Sequence, residues 1–207
     1  MSDDPVAANK VLKLGRRDQQ REETRNRLFD AALAEFRRVG FAEAQIDDIV
    51  RAAGVARGTF YFHFPTKEHV LVELQRRGQE SIIERLAALR RRPIAVKSFL
   101  QQLIDAVIAE SMADEQPALQ REIFALFARQ PMALQGQDYP LLEALMQFFR
   151  EAQERGEVRG DLMPLELTTI FLTNMFGVLL SQPAPLGPEL RPALRRVIDV
   201  FVRGVAP

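Results

Sequence analysis

Apolar residues return every three or four positions along most of this chain, which is the period of helices buried on one face. The first sustained stripe opens at Leu28 and continues through Ala32 and Phe36, with Phe29, Leu33 and Val39 widening it. It predicts a helix that begins near Arg21 and ends at Gly40. A short helix is predicted next, from Ile46 to Ala53. It buries Ile46, Ile49 and Val50, and it holds Asp47 and Asp48 in its first turn, where the helix dipole favours negative charge. Gly54 closes it. A third helix is predicted from Arg57 to Phe64, broken by Pro65, and Thr66 can cap a long helix that starts at Lys67. Further helices are predicted near 67–91, 94–112, 117–129, 140–155, 164–181 and 188–204. Pro93, Pro117, Pro140, Pro164 and Pro188 fall near their starts, where a missing N–H is harmless. Strand alternation, hairpin turns and internal repeats are all absent from the pattern. The expectation is an all-α protein of about nine helices.

Residues 1–20 show no sustained period and read as a flexible arm, made locally basic by Lys10, Lys13, Arg16 and Arg17. Such an arm is either a solvated tail or a segment that touches DNA phosphates or the minor groove. The expected organisation is therefore an arm over 1–20, a three-helix domain over 21–66 and a larger helical domain over 67–207.

Two short helices joined by a tight turn containing glycine form a helix-turn-helix. Here the segment spans about 44–63 and reads AQIDDIVRAAGVARGTFYFHF to Phe64. At about 100° per residue, Phe60 and Phe64 share one side of the second helix and should pack inward. Gly58, Thr59, Tyr61 and Phe62 then point outward. An exposed aromatic pair on a short helix suits a face that enters a DNA major groove, where Phe can touch a thymine methyl and Tyr a phosphate. It also suits a contact with another protein. Gly58 would let a DNA backbone approach closely.

From Arg25 to Leu71 the chain resembles the N-terminal domain of the TetR family. The matching residues are Ala31-Ala32, Phe36, Gly40-Phe41, Asp48-Ile49, Ala53-Gly54-Val55, Gly58-Thr59-Phe60-Tyr61, His63-Phe64 and Lys67-Glu68, in register without a gap. Beyond those 47 residues only length and helical layout are similar. The resemblance implies that Arg57, Gly58, Thr59, Tyr61 and His63 lie on DNA, and that Lys67 meets a phosphate at the start of its helix. The family usually carries hydroxyl residues where this chain has Ala44 and Gln45, and often a serine where it has Ala56. Gln45 can still donate to a phosphate, but Ala44 and Ala56 cannot through their side chains.

The predicted helix 164–181 is apolar on more than one face, and helix 188–204 carries a single stripe. Both can pack against their copies across a two-fold axis, with Leu172, Phe176, Leu194, Val197, Ile198 and Phe201 at the interface. The resemblance implies the same homodimer. The alternative is that these stripes fill the protomer's own core. The Phe- and Met-rich helices between them can line a plastic apolar pocket or fill a solid core. Candidate lining residues are Phe99, Leu103, Phe124, Phe127, Met146, Phe149, Phe171 and Met175, with Gln120, Arg121 and Asn174 as polar partners. Met132 to Tyr139 would be a gating loop.

Charge adds little to the case for nucleic acid. Residues 1–70 carry 12 basic and 11 acidic side chains, and residues 71–207 carry 16 and 17. The DNA reading therefore rests on motif and geometry. With no cysteine, and only His63 and His69 as histidines, no disulfide framework, thiolate metal site or catalytic constellation stands out, and no cofactor is expected. No signal peptide is visible, and the apolar run from Ile170 to Leu180 is short for a bilayer span. The expected protein is a cytoplasmic repressor that leaves a palindromic operator when it binds a small lipophilic effector. The competing classes are a relative acting as a partner protein without DNA, and a helical enzyme.

Overall fold

The computed structural model describes residues 5–89, 94–113, 119, 122–123, 125–126, 139–181 and 189–207, with side chains left out at 5–14, 88–89 and 111–113. Eight helices span these residues and no strand occurs among them: α1 (Pro5–Val39), α2 (Ile46–Ala53), α3 (Arg57–His63), α4 (Glu68–Leu89), α5 (Val96–Ala113), α6 (Pro140–Glu154), α7 (Pro164–Ser181) and α8 (Leu190–Gly204). The helix expected near 117–129 lies largely outside the described residues, although Leu119 and Ile123 are buried there. The chain divides into two compact units, Met1–Val70 and Leu71–Pro207.

The first unit is organised by glycine stops. Gly40 adopts φ 87° and its N–H returns to the Phe36 carbonyl, which ends α1. Gly54 adopts φ 65°, its N–H bonds the Arg51 carbonyl, and the Val55 N–H bonds the Val50 carbonyl. This pair of bonds is the Schellman closure, and only glycine takes that left-handed turn without strain. The chain therefore leaves α2 and enters α3 after two further residues. Leu28, Phe36, Ile49, Phe60 and Phe64 form the fully buried centre of the unit.

The stretch read as an arm over 1–20 is helical from Pro5 onward. α1 is one helix of 35 residues and runs back to Pro5. Apart from Gly15, its early residues are mostly good helix formers. Residues 15–23 are exposed, so this stretch carries no apolar period. Periodicity located where the helix becomes buried, not where it starts.

In the second unit α6 packs on α7, α5 on α8, and α7 on α8. Aromatic rings bind the centre together. Phe99 stacks on Phe148 at 3.7 Å, and Phe201 meets Phe149 at 5.7 Å and Phe171 at 5.2 Å. The body of α4 is fastened here by polar contacts. The buried Gln79 accepts from the Leu141 N–H at 3.1 Å, which satisfies an otherwise orphaned donor at the start of α6. Ser81 donates to Glu110 of α5 at 2.9 Å. Between α5 and α8, Lys97 pairs with Asp199 at 2.8 Å and Arg191 pairs with Asp105.

Several residues expected at a dimer interface or a pocket are buried in this core. Leu194, Ile198 and Phe201 are buried within the protomer, because the single stripe of α8 is consumed by α5 and α7. Leu172, Phe176 and Val197 stay partly exposed. Of the pocket candidates, Phe99, Leu103, Phe149, Phe171 and Met175 are all buried in the same cluster, and Met146 is partly buried. Asn174 is exposed and its amide donates to the Ile170 carbonyl at 2.7 Å, so it does not reach the core. Gln120, Arg121, Phe124, Phe127 and the segment 132–138 lie outside the described residues. By length and composition alone, α7 is long and apolar enough to cross a membrane, more so than the Ile170–Leu180 run suggests. Its Leu167, Phe171, Met175 and Leu179 are nevertheless committed to the protomer's core.

Candidate DNA-binding surface

A helix of seven residues is too short to persist on its own in water. α3 is held by its buried side, where Phe60 and Phe64 are sealed into the first unit with ring centroids 5.9 Å apart. The opposite side is open. Tyr61 is 42% exposed and Phe62 65%, the largest aromatic exposures of the unit. Arg57 and Gly58 are exposed beside them, and Thr59 is half-buried. A Cβ added to Gly58 would meet nothing within 4 Å among the described residues, so no internal packing demands glycine there. Close approach from outside remains a reason for it.

Arg57 is held in place before any ligand arrives. Its guanidinium bonds Asp47 of α2 at 2.7 Å and the Tyr61 hydroxyl at 3.3 Å, and lies 5.8 Å from the Tyr61 ring centroid. The Tyr61 hydroxyl and the Asp47 carboxylate both favour its charged form. Gln45 and Ala56 occupy the N-cap positions of α2 and α3 in extended conformations, and neither side chain caps its helix. Gln45 instead donates to the Glu43 carbonyl at 3.1 Å. Its exposed amide remains at the edge of the surface.

Two expected contact residues are placed differently. His63 is only 9% exposed, with its ring edge-on to Phe62 at 5.1 Å. Burial, and then the charges of Arg25 and Arg21, push its pKa below the ordinary histidine value. Its neutral ring sits behind the open face, because the last turn of α3 tucks against α1. Lys67 precedes α4 rather than opening it, and its ammonium is engaged inside the unit. It donates to the carbonyls of Phe41 at 2.9 Å, Ala42 at 2.8 Å and Ala44 at 3.5 Å, and sits 4.9 Å from the Phe41 ring centroid. A lysine has three N–H donors, and here three carbonyls of the α1–α2 loop meet them. Lys67 thus clasps the loop that leads into α2. Thr66 directs its hydroxyl to the His69 ring at 3.0 Å and does not cap α4 with its side chain.

Sequence reasoning missed Arg21 and Arg25. Arg25 lies 4.8 Å from the Phe64 ring centroid and bonds the His63 carbonyl at 3.2 Å, closing the C-terminal end of α3 with a positive charge. Arg21 lies 5.0 Å from the Phe62 ring centroid. Their spacing of four residues was visible, but their partners are about 40 residues further along and no local pattern points to them.

An open aromatic and basic face on the second helix of a glycine-turned pair defines a helix-turn-helix DNA-binding protein. Residues 28–74 match the family described as bacterial regulatory proteins, tetR family. The chain is 29% identical over 160 residues to the HTH-type transcriptional regulator UidR of Escherichia coli K12, covering 75% of this chain and 80% of UidR. It is 52% identical over 50 residues to the HTH-type transcriptional regulator SrpR of Pseudomonas putida, covering 24% of each. Thermus thermophilus FadR, a TetR-family transcriptional repressor solved in complex with lauroyl-CoA, superposes with a TM-score of 0.75. It is 26% identical, and the match covers 87% of this chain and 94% of FadR. Residues 28–74 therefore match the DNA-binding domain of the tetR family, and over most of its length the chain is similar to transcriptional regulators that carry it.

The Lys67 clasp predicts a stability effect. Lys67→Ala should lower unfolding stability by on the order of 1–2 kcal/mol, the range for hydrogen bonds to a charged donor that water partly replaces. A urea midpoint equal to that of the unaltered chain would show that the clasp contributes nothing.

Proposed function

We propose that this regulator is a cytoplasmic repressor that binds palindromic operator DNA as a homodimer and leaves it when an apolar small molecule enters the second unit. The observation that carries the DNA part is the open face of α3. Arg57, Gly58, Thr59, Tyr61 and Phe62 would enter the major groove, and Gln45 and the backbone at Ala56 would meet phosphates at its edge. Lys67 and His63 would support this face from behind. For Arg57 to reach a base or phosphate it must leave Asp47.

The dimer reading now rests on residues that the protomer leaves open. α7 exposes Leu165, Ile170 and Leu180, and keeps Leu172 and Phe176 partly open. On α8, Ala193, Val197, Val200 and Gly204 recur every three or four residues, so these small side chains share one face. Val200 is 74% exposed, an unusual state for a valine on a packed helix. A second copy would cover these faces as a symmetric contact between helices, and two recognition helices would then meet successive major grooves about 34–36 Å apart.

For the effector, the support is the chemistry of the second unit and its likeness to a repressor solved with lauroyl-CoA. A lipophile would lodge by parting the ring cluster near Phe99, Leu103, Phe149, Phe171 and Met175, with Met146 at its margin. A multiply charged ligand would lose its hydration there without partners. Signal would pass along α4, whose first residues, Glu68 to Val70, belong to the first unit and whose body belongs to the second.

Three outcomes test this. Tyr61→Ala should weaken binding to DNA selected by the full chain from random duplexes by about 1–3 kcal/mol, the value of one good groove contact. Wild-type affinity in that variant would remove Tyr61 from the docking face. Val200→Glu should leave the protomer folded and reduce the species seen by light scattering to a monomer, and a persistent dimer would move the interface elsewhere. Finally, lauric acid, titrated with and without the selected DNA, should bind more weakly when DNA is present, because coupling is reciprocal. Equal affinity in both titrations would make that ligand a bystander.

A further inference from the structure

Arg17, Arg21 and Arg25 are four residues apart and so fall within about 80° of one another around α1. The same sequence period reaches back to Lys13 and Lys10. Asp18 falls about 60° from Arg21, Glu22 and Glu23 about 100° and 160°, and Arg16 about 140°, so the line is basic with a single acid, Asp18, at its border, while other faces are mixed. Two contacts fix where the line points. Arg25 and Arg21 lie against Phe64 and Phe62, at the C-terminal end of α3. Phe62 is itself part of the open α3 face. The line therefore leaves that face and continues along α1, with Arg17 exposed about 6 Å further on, four residues at 1.5 Å each. Arg38, Arg51, Arg57 and Arg76 are all paired with carboxylates. Arg17 and Arg21 are in no ion pair among the described residues.

We propose that this line, Arg21 and Arg17 first, is a rail that grips phosphates of the double helix outside the segment read by α3. The proposal rests on the DNA-binding reading of α3 and adds a footprint to it. Arginine on a phosphate positions without reading sequence, so the rail would contact flanking duplex of any composition. Residues 15–23 of α1 are exposed and extend past the last buried turn, so packing among the described residues of the first unit does not account for them. A basic line beginning at the recognition helix supplies one.

The experiment uses the full chain and two duplexes that share a core selected from random DNA. One ends at the borders of the core, and the other continues for about ten base pairs on each side, one helical turn. Dissociation constants are measured across a salt series. The unaltered chain should bind the longer duplex more tightly and with a steeper salt dependence. Arg17→Gln should reduce that slope on the longer duplex by about one unit per protomer, and leave the shorter duplex unaffected. Arg17→Lys should retain the slope, and Arg16→Gln, on the other side of α1, should leave both duplexes unchanged. Equal binding of the two duplexes by the unaltered chain would overturn the rail and leave the α3 reading intact. So would equal losses from Arg16→Gln and Arg17→Gln. A chain that selects no duplex at all would overturn the α3 reading and the rail together.

Discussion

The burial of Phe60 and Phe64 is the constraint on which the open surface of α3 depends. A seven-residue helix has no stability of its own, so the orientation of its open side is set by what its closed side packs against. With those two rings sealed in, the helical period turns Arg57, Gly58, Tyr61 and Phe62 outward together. The Gly54 turn fixes the approach of α3 from α2, and Arg25 closes its far end. Lys67 then ties the following segment back to the loop before α2. Few interactions are involved, and most of them are between residues distant in sequence.

The second unit is built differently. Its centre is a ring cluster supported by ion pairs at the rim and one buried amide, Gln79, that receives the start of α6. Because Gln79 and Ser81 both sit on α4, the body of that helix is anchored by hydrogen bonds as well as by Ile82 and Leu86. Hydrogen bonds of this kind set register, since an amide must meet one N–H and no other. A sliding displacement of α4 would break them singly, whereas apolar contacts alone would tolerate it.

Much of this was legible in the sequence where a residue type has one local use. Gly40 and Gly54 stop helices, Pro140 and Pro164 start them, and the α2 and α7 boundaries follow the reading residue for residue. The inward turn of Phe60 and Phe64 also followed from the wheel alone. Failures occurred where a side chain has two uses and tertiary contacts choose between them. Leu194, Ile198 and Phe201 form a stripe that serves a core or a partner equally well, and α5 and α7 claimed it. His63 belongs to a DNA-facing motif yet is drawn under by α1, and Lys67 finds carbonyls in its own unit. Residues 15–23 of α1 escaped the reading for the opposite reason, since an exposed helical stretch leaves no apolar period to detect.

The ion pair between Arg57 and Asp47 has a consequence for how this protein searches a chromosome. A guanidinium already matched to a carboxylate contributes little field at a distance, and residues 1–70 carry only one more basic than acidic side chain. Long-range attraction of the polyanion to α3 is then weak, and hold on arbitrary sequence would fall to unpaired cations such as Arg17 and Arg21. The α3 surface taken alone would give up association speed and linger less at wrong sites. On α3, residence would be reserved for places where short-range fit is good enough to draw Arg57 away from its aspartate.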